Sequence, residues 1–166
     1  MRATRNDLVV TPRGVRFRGR LLPCSRGRRG LTDAKCEGDG CTPRGGHRLV
    51  GVLYRPDRMR RPVKGAMPIG PRDLWSDDPG DARYNSRVRA PHPFSHERLR
   101  RADPLYNLVL VTDWNLSPAV PGRGSAIFVH RWRRRGAPTA GCIALRPGDL
   151  LWVARRLTPR SRLVVR

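Results

Sequence analysis

The chain has 166 residues, 38% of them hydrophobic, with 35 Lys+Arg against 13 Asp+Glu and a formal charge of +22. That length suits one domain (residues 1–166), and the apolar fraction supports a core rather than overall disorder. No apolar run approaches the ~18 residues of a membrane span, and net charge speaks of anionic partners and solubility, not of fold.

From the N-terminus, Met1 to Leu8 holds neither an apolar stretch nor a small-residue cleavage site, so no secretory signal is visible. Leu8-Val9-Val10, Val15-Arg16-Phe17 and Leu21-Leu22 are separated by Pro/Gly turns and predict a small meander. His47 to Tyr54 (HRLVGVLY) predicts a longer strand. Asp57 to Asp103 is polar and Pro-rich, too long for an ordinary loop, and such segments carry function or disorder. Leu105 to Trp114 (LYNLVLVTDW) is the strongest strand, its four consecutive aliphatics pointing to burial on both faces.

Ser125 to His130 (SAIFVH) predicts another strand, entered from the turn Pro121-Gly122-Arg123-Gly124, and Arg162 to Val165 a closing one. One helix is predicted between them. Pro147 suits its first turn and Asp149 its positive end, and Leu150, Val153, Ala154 and Leu157 form an apolar stripe. Arg155 and Arg156 fall near its C-terminal end. The expectation is a mainly β domain with one helix following a cysteine.

Four cysteines are present: Cys24, Cys36, Cys41 and Cys142. Zinc sites favour ligand pairs two to four residues apart closed by a second pair, and this spacing offers none. Small buried thiols are the expected reading, with a Cys36–Cys41 disulfide as the minor alternative. No metal and no cofactor are expected. No carboxylate pair has a glycosidase context, and no phosphate-cradling Gly loop is present.

Chemistry concentrates in Ser125 to Leu145 (SAIFVHRWRRRGAPTAGCIAL). A strand delivers His130 at its end, and a basic loop leads to Thr139-Ala140-Gly141-Cys142. A thiol nucleophile needs a base, and the base needs a group that orients it. Gly141 lets amides approach a developing oxyanion. Arg131, Arg133, Arg134 and Arg135 are expected to favour the thiolate, since nearby cations lower a thiol's pKa. Alone, a His and a Cys twelve positions apart are weak evidence, and a buried structural cysteine is the default.

The surrounding blocks change that balance. SAIFVH followed by TAGCIAL resembles the signature of the L,D-transpeptidase (YkuD-type) family: a His, a variable loop, Ser/Thr, one residue, then Gly-Cys and a hydrophobic residue. Gly38 to His47 (GDGCTPRGGH), a Thr-Pro-x-Gly turn feeding a strand, is similar to the family's upstream motif. DDPGDARYNSRVRAPHPFSHERL, LYNLVLVTDWN and VPGRGSAIFVH resemble a short single-domain branch, so the likeness spans about residues 7 to 166.

The resemblance implies a β-sandwich-like catalytic domain of mixed sheets. It implies that Cys142 attacks a stem peptide of peptidoglycan at meso-diaminopimelate, forming a thioester that a neighbouring amine resolves. His130 matches the base, Arg131 the position whose main-chain carbonyl orients it, and Gly141 with Cys142 the oxyanion amides. His96, Tyr106, Arg123 and Thr139 are the expected substrate contacts, with Glu97 beside His96 as a further groove residue. Trp75 to Asp78 and Tyr84-Asn85 are read as cleft cover or, preferably, loop packing. His47 and His92 are read as ordinary structural or surface histidines.

This chain departs from the family pattern in three places. Its His–Cys spacing is shorter than in many members, Ala140 replaces a second His, and Ala144 replaces an Arg. Arg123 or Arg146 is the substitute for that arginine. Some short members join L-alanine to meso-diaminopimelate, and this architecture keeps that link open.

The resemblance places the protein in the periplasm or cell envelope, and a monomer is expected. The alternatives are the same nucleophile acting as an L,D-carboxypeptidase or endopeptidase, and a basic nucleic-acid-binding module. The last draws on Arg131-Trp132-Arg133-Arg134-Arg135, but charge of that kind is not matched by a recognition motif. A specific nucleic-acid partner is therefore not expected. The +22 is also diffuse: 33 of the 35 basic residues are arginine, the exceptions being Lys35 and Lys64.

Overall fold

A computed structural model describes residues 3–166. The strands β1 (Leu8–Thr11), β2 (Gly14–Phe17) and β3 (Arg20–Leu22) form the expected antiparallel meander. Three two-residue strands follow, β4 (Cys24–Ser25), β5 (Leu31–Thr32) and β6 (Thr42–Pro43), and then the long β7 (Gly45–Tyr54). Residues 57–103 are ordered. They hold β8 (Met67–Pro68) and a small antiparallel sheet of β9 (Asp73–Ser76), β10 (Arg87–Arg89) and β11 (His96–Arg98). The chain ends with β12 (Leu108–Thr112), β13 (Phe128–Arg131), β14 (Ile143–Leu145), α1 (Pro147–Ala154) and β15 (Arg162–Val165).

The main sheet has ten strands in the order β3-β2-β1-β15-β7-β12-β13-β14-β4, with β8 added on β7. Parallel pairs (β1–β15, β13–β14) lie among antiparallel ones, so the sheet is mixed. It curls until β2 touches β4, nearly closing a barrel. This confirms the expected mainly β fold of mixed sheets with one helix.

The core occupies the inside of the curl. Leu8, Phe17, Leu110, Val129, Ile143 and Leu163 meet there under Leu150 and Val153 of α1. Burying each such side chain stabilises by roughly 1.5–3 kcal/mol. The helix follows its sequence signals: Pro147 opens it, and Asp149 in the first turn pairs with Arg146 at 2.9 Å. It stops at Ala154, so Leu157 packs half-buried beyond its end.

Two strands are shorter than expected. Leu105 to Asn107 turns instead of extending, because Asp103 accepts the Leu105 N–H and Pro104 O accepts that of Asn107. Ser125 to Ile127 is irregular because Ala126 takes a φ of 51°, which strand pairing does not allow.

The cysteine expectation is corrected. All four thiols are free, and only Cys142 is buried; Cys36 is exposed, while Cys24 and Cys41 are half-buried. Cys36 and Cys41 lie in a turn organised by Asp39, whose carboxylate accepts both of their amides. Among the described residues no three His, Cys, Asp or Glu are placed to hold a metal. No helix there is long and apolar enough to cross a membrane.

Candidate active site

Two adjacent strands bring Cys142 and His130 together. In the parallel β13–β14 pair, Val129 lies opposite Ile143, so Cys142 falls beside Phe128, two residues before His130. Alternation along β13 then sends Phe128 and His130 to one face and Val129 to the other. Phe128 and Cys142 accordingly join a second apolar cluster, with Trp75, Tyr106 and Val109, on the outer face. Both side chains border one cleft of about 480 Å³.

The cysteine is held by backbone. Its Sγ donates to Ala126 O at 3.1 Å and accepts from Phe128 N–H at 3.4 Å. The Ala126 carbonyl is aimed there by the left-handed conformation of that residue. Asn85, itself buried, supports it: its Oδ1 accepts the Ala126 N–H at 2.9 Å and the Trp75 Nε1–H, and its amide donates to Trp114 O and Asn115 O. Tyr84 donates to Glu37. Trp75 and Asn85 thus pack and brace the site, which agrees with loop packing.

The Gly38–His47 block and the Cys142 turn prove to be one unit. Thr42 Oγ1 donates to Gly141 O at 2.7 Å while accepting Gly27 N–H. Gly141 has φ 154°, and a Cβ there would stand 2.8 Å from Cys41 O. Any side chain at 141 would therefore displace the Cys41 backbone. Thr139 Oγ1 donates to Cys142 O at 2.6 Å and accepts Gly141 N–H at 3.1 Å. Thr139 borders the cleft, but its hydroxyl is engaged in bracing the turn. The Gly141 amide is engaged in the same way.

His130 is oriented by the backbone: its Nδ1 faces Arg131 O at 2.7 Å. That carbonyl can only accept, so Nδ1 carries the proton and Nε2 is left as the base. Tyr106 packs edge-on against the imidazole, with centroids 5.3 Å apart, and donates its hydroxyl to Glu97 Oε2 at 2.6 Å. Burial pushes the His130 pKa down to about 4, against the raising effect of the Arg131 carbonyl. Burial, reinforced by the Glu97 charge, pushes the Cys142 thiol up to about 12. At neutral pH the site is therefore a neutral thiol beside a neutral imidazole.

This corrects the expectation for the arginine loop. The cation that opposes the rise at Cys142 is Lys35, not Arg131, Arg133, Arg134 or Arg135. Lys35 is buried and paired with Asp39 at 2.5 Å. Arginines instead surround the cleft, where Arg28, Arg101, Arg133 and Arg134 contribute to its wall.

Two expected substrate contacts are displaced. His96 faces away from the cleft, its Nδ1 against Phe94 O and its ring against His92. Glu97, the other groove candidate, does border the cleft, because successive side chains on β11 point to opposite faces. Burial raises its carboxyl pKa, opposed by the Tyr106 hydrogen bond. Arg123 stands outside the cleft over the Trp114 ring at 5.7 Å, and Arg146 is engaged with Asp149. His47 is buried against Pro43 O and His92 pairs with Asp81, both structural arrangements.

Arg28 and Arg101 escaped the sequence reading, since nothing local marks them: each lies far along the chain from both His130 and Cys142. The site thus sets a thiol beside an oriented imidazole on a mixed sheet with a single helix. The chain matches the family model of the L,D-transpeptidase catalytic domain (YkuD) over residues 3–165 and belongs to that family. No curated protein and no solved structure matches it. The family places its activity on peptidoglycan, in the cell wall.

Proposed function

We propose that this protein forms peptidoglycan cross-links by acyl transfer through Cys142 at a meso-diaminopimelate-containing stem peptide. The observation that carries this reading is the pairing, in one cleft, of the Cys142 thiol with an imidazole whose Nδ1–H is held by Arg131 O. The thiol leaves the Ala126 carbonyl and gives its proton to His130 Nε2 as Sγ attacks the scissile carbonyl carbon. An S–C bond forms, and the carbonyl oxygen takes the negative charge. The Cys142 amide is the donor for that oxyanion, since the Gly141 amide already serves Thr139.

Collapse of the intermediate breaks the C–N bond, and His130 returns the proton to the departing amine of the terminal D-residue. A thioester remains. An acceptor amine then attacks it, gives its proton to His130, and the thiol is regenerated. Because both groups start neutral, transfer does not require a preformed ion pair. The arginines around the cleft suit the carboxylates of a stem peptide, and Glu97 suits an amine. The cell envelope is the corresponding location.

Incubation with a stem tetrapeptide or a carbapenem, read by intact-protein mass spectrometry, tests the assignment. The adduct is expected on Cys142 and absent in Cys142→Ala, which keeps the fold. An unmodified Cys142 beside a modified Cys24 overturns it. Product analysis with and without acceptor amine separates cross-linking, including the L-alanine link, from L,D-carboxypeptidase or endopeptidase activity.

A further inference from the structure

The positive charge is divided unevenly along the chain. Residues 1–30 and 114–166 carry 20 of the 35 basic side chains and two of the 13 acidic ones, a formal charge of +18. Residues 31–113, an equal length of chain, carry 15 basic and 11 acidic side chains, a charge of +4. The fold joins the two cationic segments, pairing β1 with β15 and β4 with β14. Their two acids are already neutralised, Asp7 by Arg162 at 2.8 Å and Asp149 by Arg146. One flank of the molecule is therefore almost purely cationic.

That flank is grooved, and the grooves lead away from the cleft. Trp132 borders both the cleft and a second groove of about 540 Å³, whose walls include Arg20 and Arg135. Arg20 and Leu21 in turn border a third groove of about 620 Å³, which Arg16 also lines. Arg16, Arg20 and Arg135 are exposed and form no ion pair among the described residues. Arg20 is held in direction, its guanidinium 4.6 Å from the Trp152 ring that Arg156 also faces at 4.6 Å.

We propose that this track is a second binding surface, which holds a carboxylate-bearing stretch of the same polymer whose stem peptide enters the cleft. The inference rests on the peptidoglycan reading and extends it from one peptide to the strand around it. Continuity selects the occupant: a ligand running from the thiol past Trp132 to Arg16 is attached to the reacting peptide. Charge selects its chemistry, since unpaired guanidinium groups match the carboxylates that neighbouring stem peptides repeat. Binding of this kind raises local substrate concentration and weakens with salt.

The test compares two triple variants of the full chain. Arg16→Ser/Arg20→Ser/Arg135→Ser removes the track, and Arg60→Ser/Arg61→Ser/Lys64→Ser removes equal charge from exposed positions of the other half. Affinity for purified sacculi is measured by co-sedimentation at low and high salt, and Cys142 acylation with isolated stem peptide. The track variant is expected to lose sacculus affinity about tenfold at low salt, with a shallower salt dependence and acylation within about twofold of the parent. The control variant keeps sacculus affinity. Equal losses in both variants, or none in the track variant, overturn the proposal. So does a track variant that loses affinity only for duplex DNA or anionic vesicles. Failure of Cys142 acylation in the parent protein instead overturns the peptidoglycan reading, and the two failures are read in different assays.

Discussion

The two faces of the strands β12 and β13 make opposite uses of burial. Toward the inside of the curl, Leu110 and Val129 meet Phe17, Leu163 and Leu150, and that cluster is apolar apart from Tyr54 and the half-buried Cys24 thiol at its border. Toward the cleft, Val109 and Phe128 pack with Trp75 and Tyr106, and here Cys142 and His130 are buried as well, with Glu97 half-buried beside them. A buried polar group without a partner costs several times what a single hydrogen bond contributes. The outer face meets that cost residue by residue: Asn85 for the Ala126 turn, Arg131 O for the imidazole, Tyr106 for Glu97. The inner face is almost wholly apolar and supplies stability, while the outer face holds the thiol and the imidazole.

The sharpest way to break this contrast is on the outer face. His130→Ala is expected to slow Cys142 acylation by about 10²–10⁴-fold, the usual worth of a positioned base, with the unfolding temperature nearly unchanged. With His130 present, acylation should hold from neutral pH down to about 5 and fall as pH drops through about 4, because the imidazole must be neutral to accept the proton. An acylation rate that falls through a midpoint near 6.5 would mean an imidazole not desolvated by its surroundings.

On the inner face the expectation inverts. Phe17, 1% exposed, packs edge-on against Trp152 at 5.6 Å. Phe17→Ala should cost about 3–5 kcal/mol in denaturant unfolding, while the folded fraction acylates at the parent rate. Loss of acylation in the folded fraction would show that the two faces are coupled.

The smallest effect falls where charge meets the thiol. Glu97 raises the Cys142 pKa, so Glu97→Gln should lower it and speed alkylation by iodoacetamide at pH 8 by about 3–10-fold. Alkylation that is unchanged, or slower, would mean that the carboxylate does not act on the sulfur.

Sequence reading succeeded where local pattern and structure coincide. β1–β3, β7, β15 and α1 stand where alternation and the apolar stripe put them, and the His130 and Cys142 segments lie beside each other as their motif implied. It fell short at the phase of β11, where His96 and Glu97 are both expected in the groove and Glu97 alone of the two borders it. Three residues, HER, are too few to set an alternation, and the small sheet of β9, β10 and β11 pairs only with itself. It also misplaced the source of charge at the thiol, since the arginines adjacent in sequence exert less on Cys142 than Lys35, more than a hundred positions away.

By itself the sequence determined the mainly β character, the single helix, the family and the two segments that carry the thiol and the imidazole. These depend on side-chain period, turn residues and motif order, all of which are local. Only the tertiary structure decided that Thr42 and Cys41 close on Gly141, that Asn85 aims the carbonyl which holds the thiol, and that the cationic ends of the chain form one flank. Those arrangements depend on hydrogen bonds and charges between residues far apart in the chain, and their strength is set by distance and burial after folding.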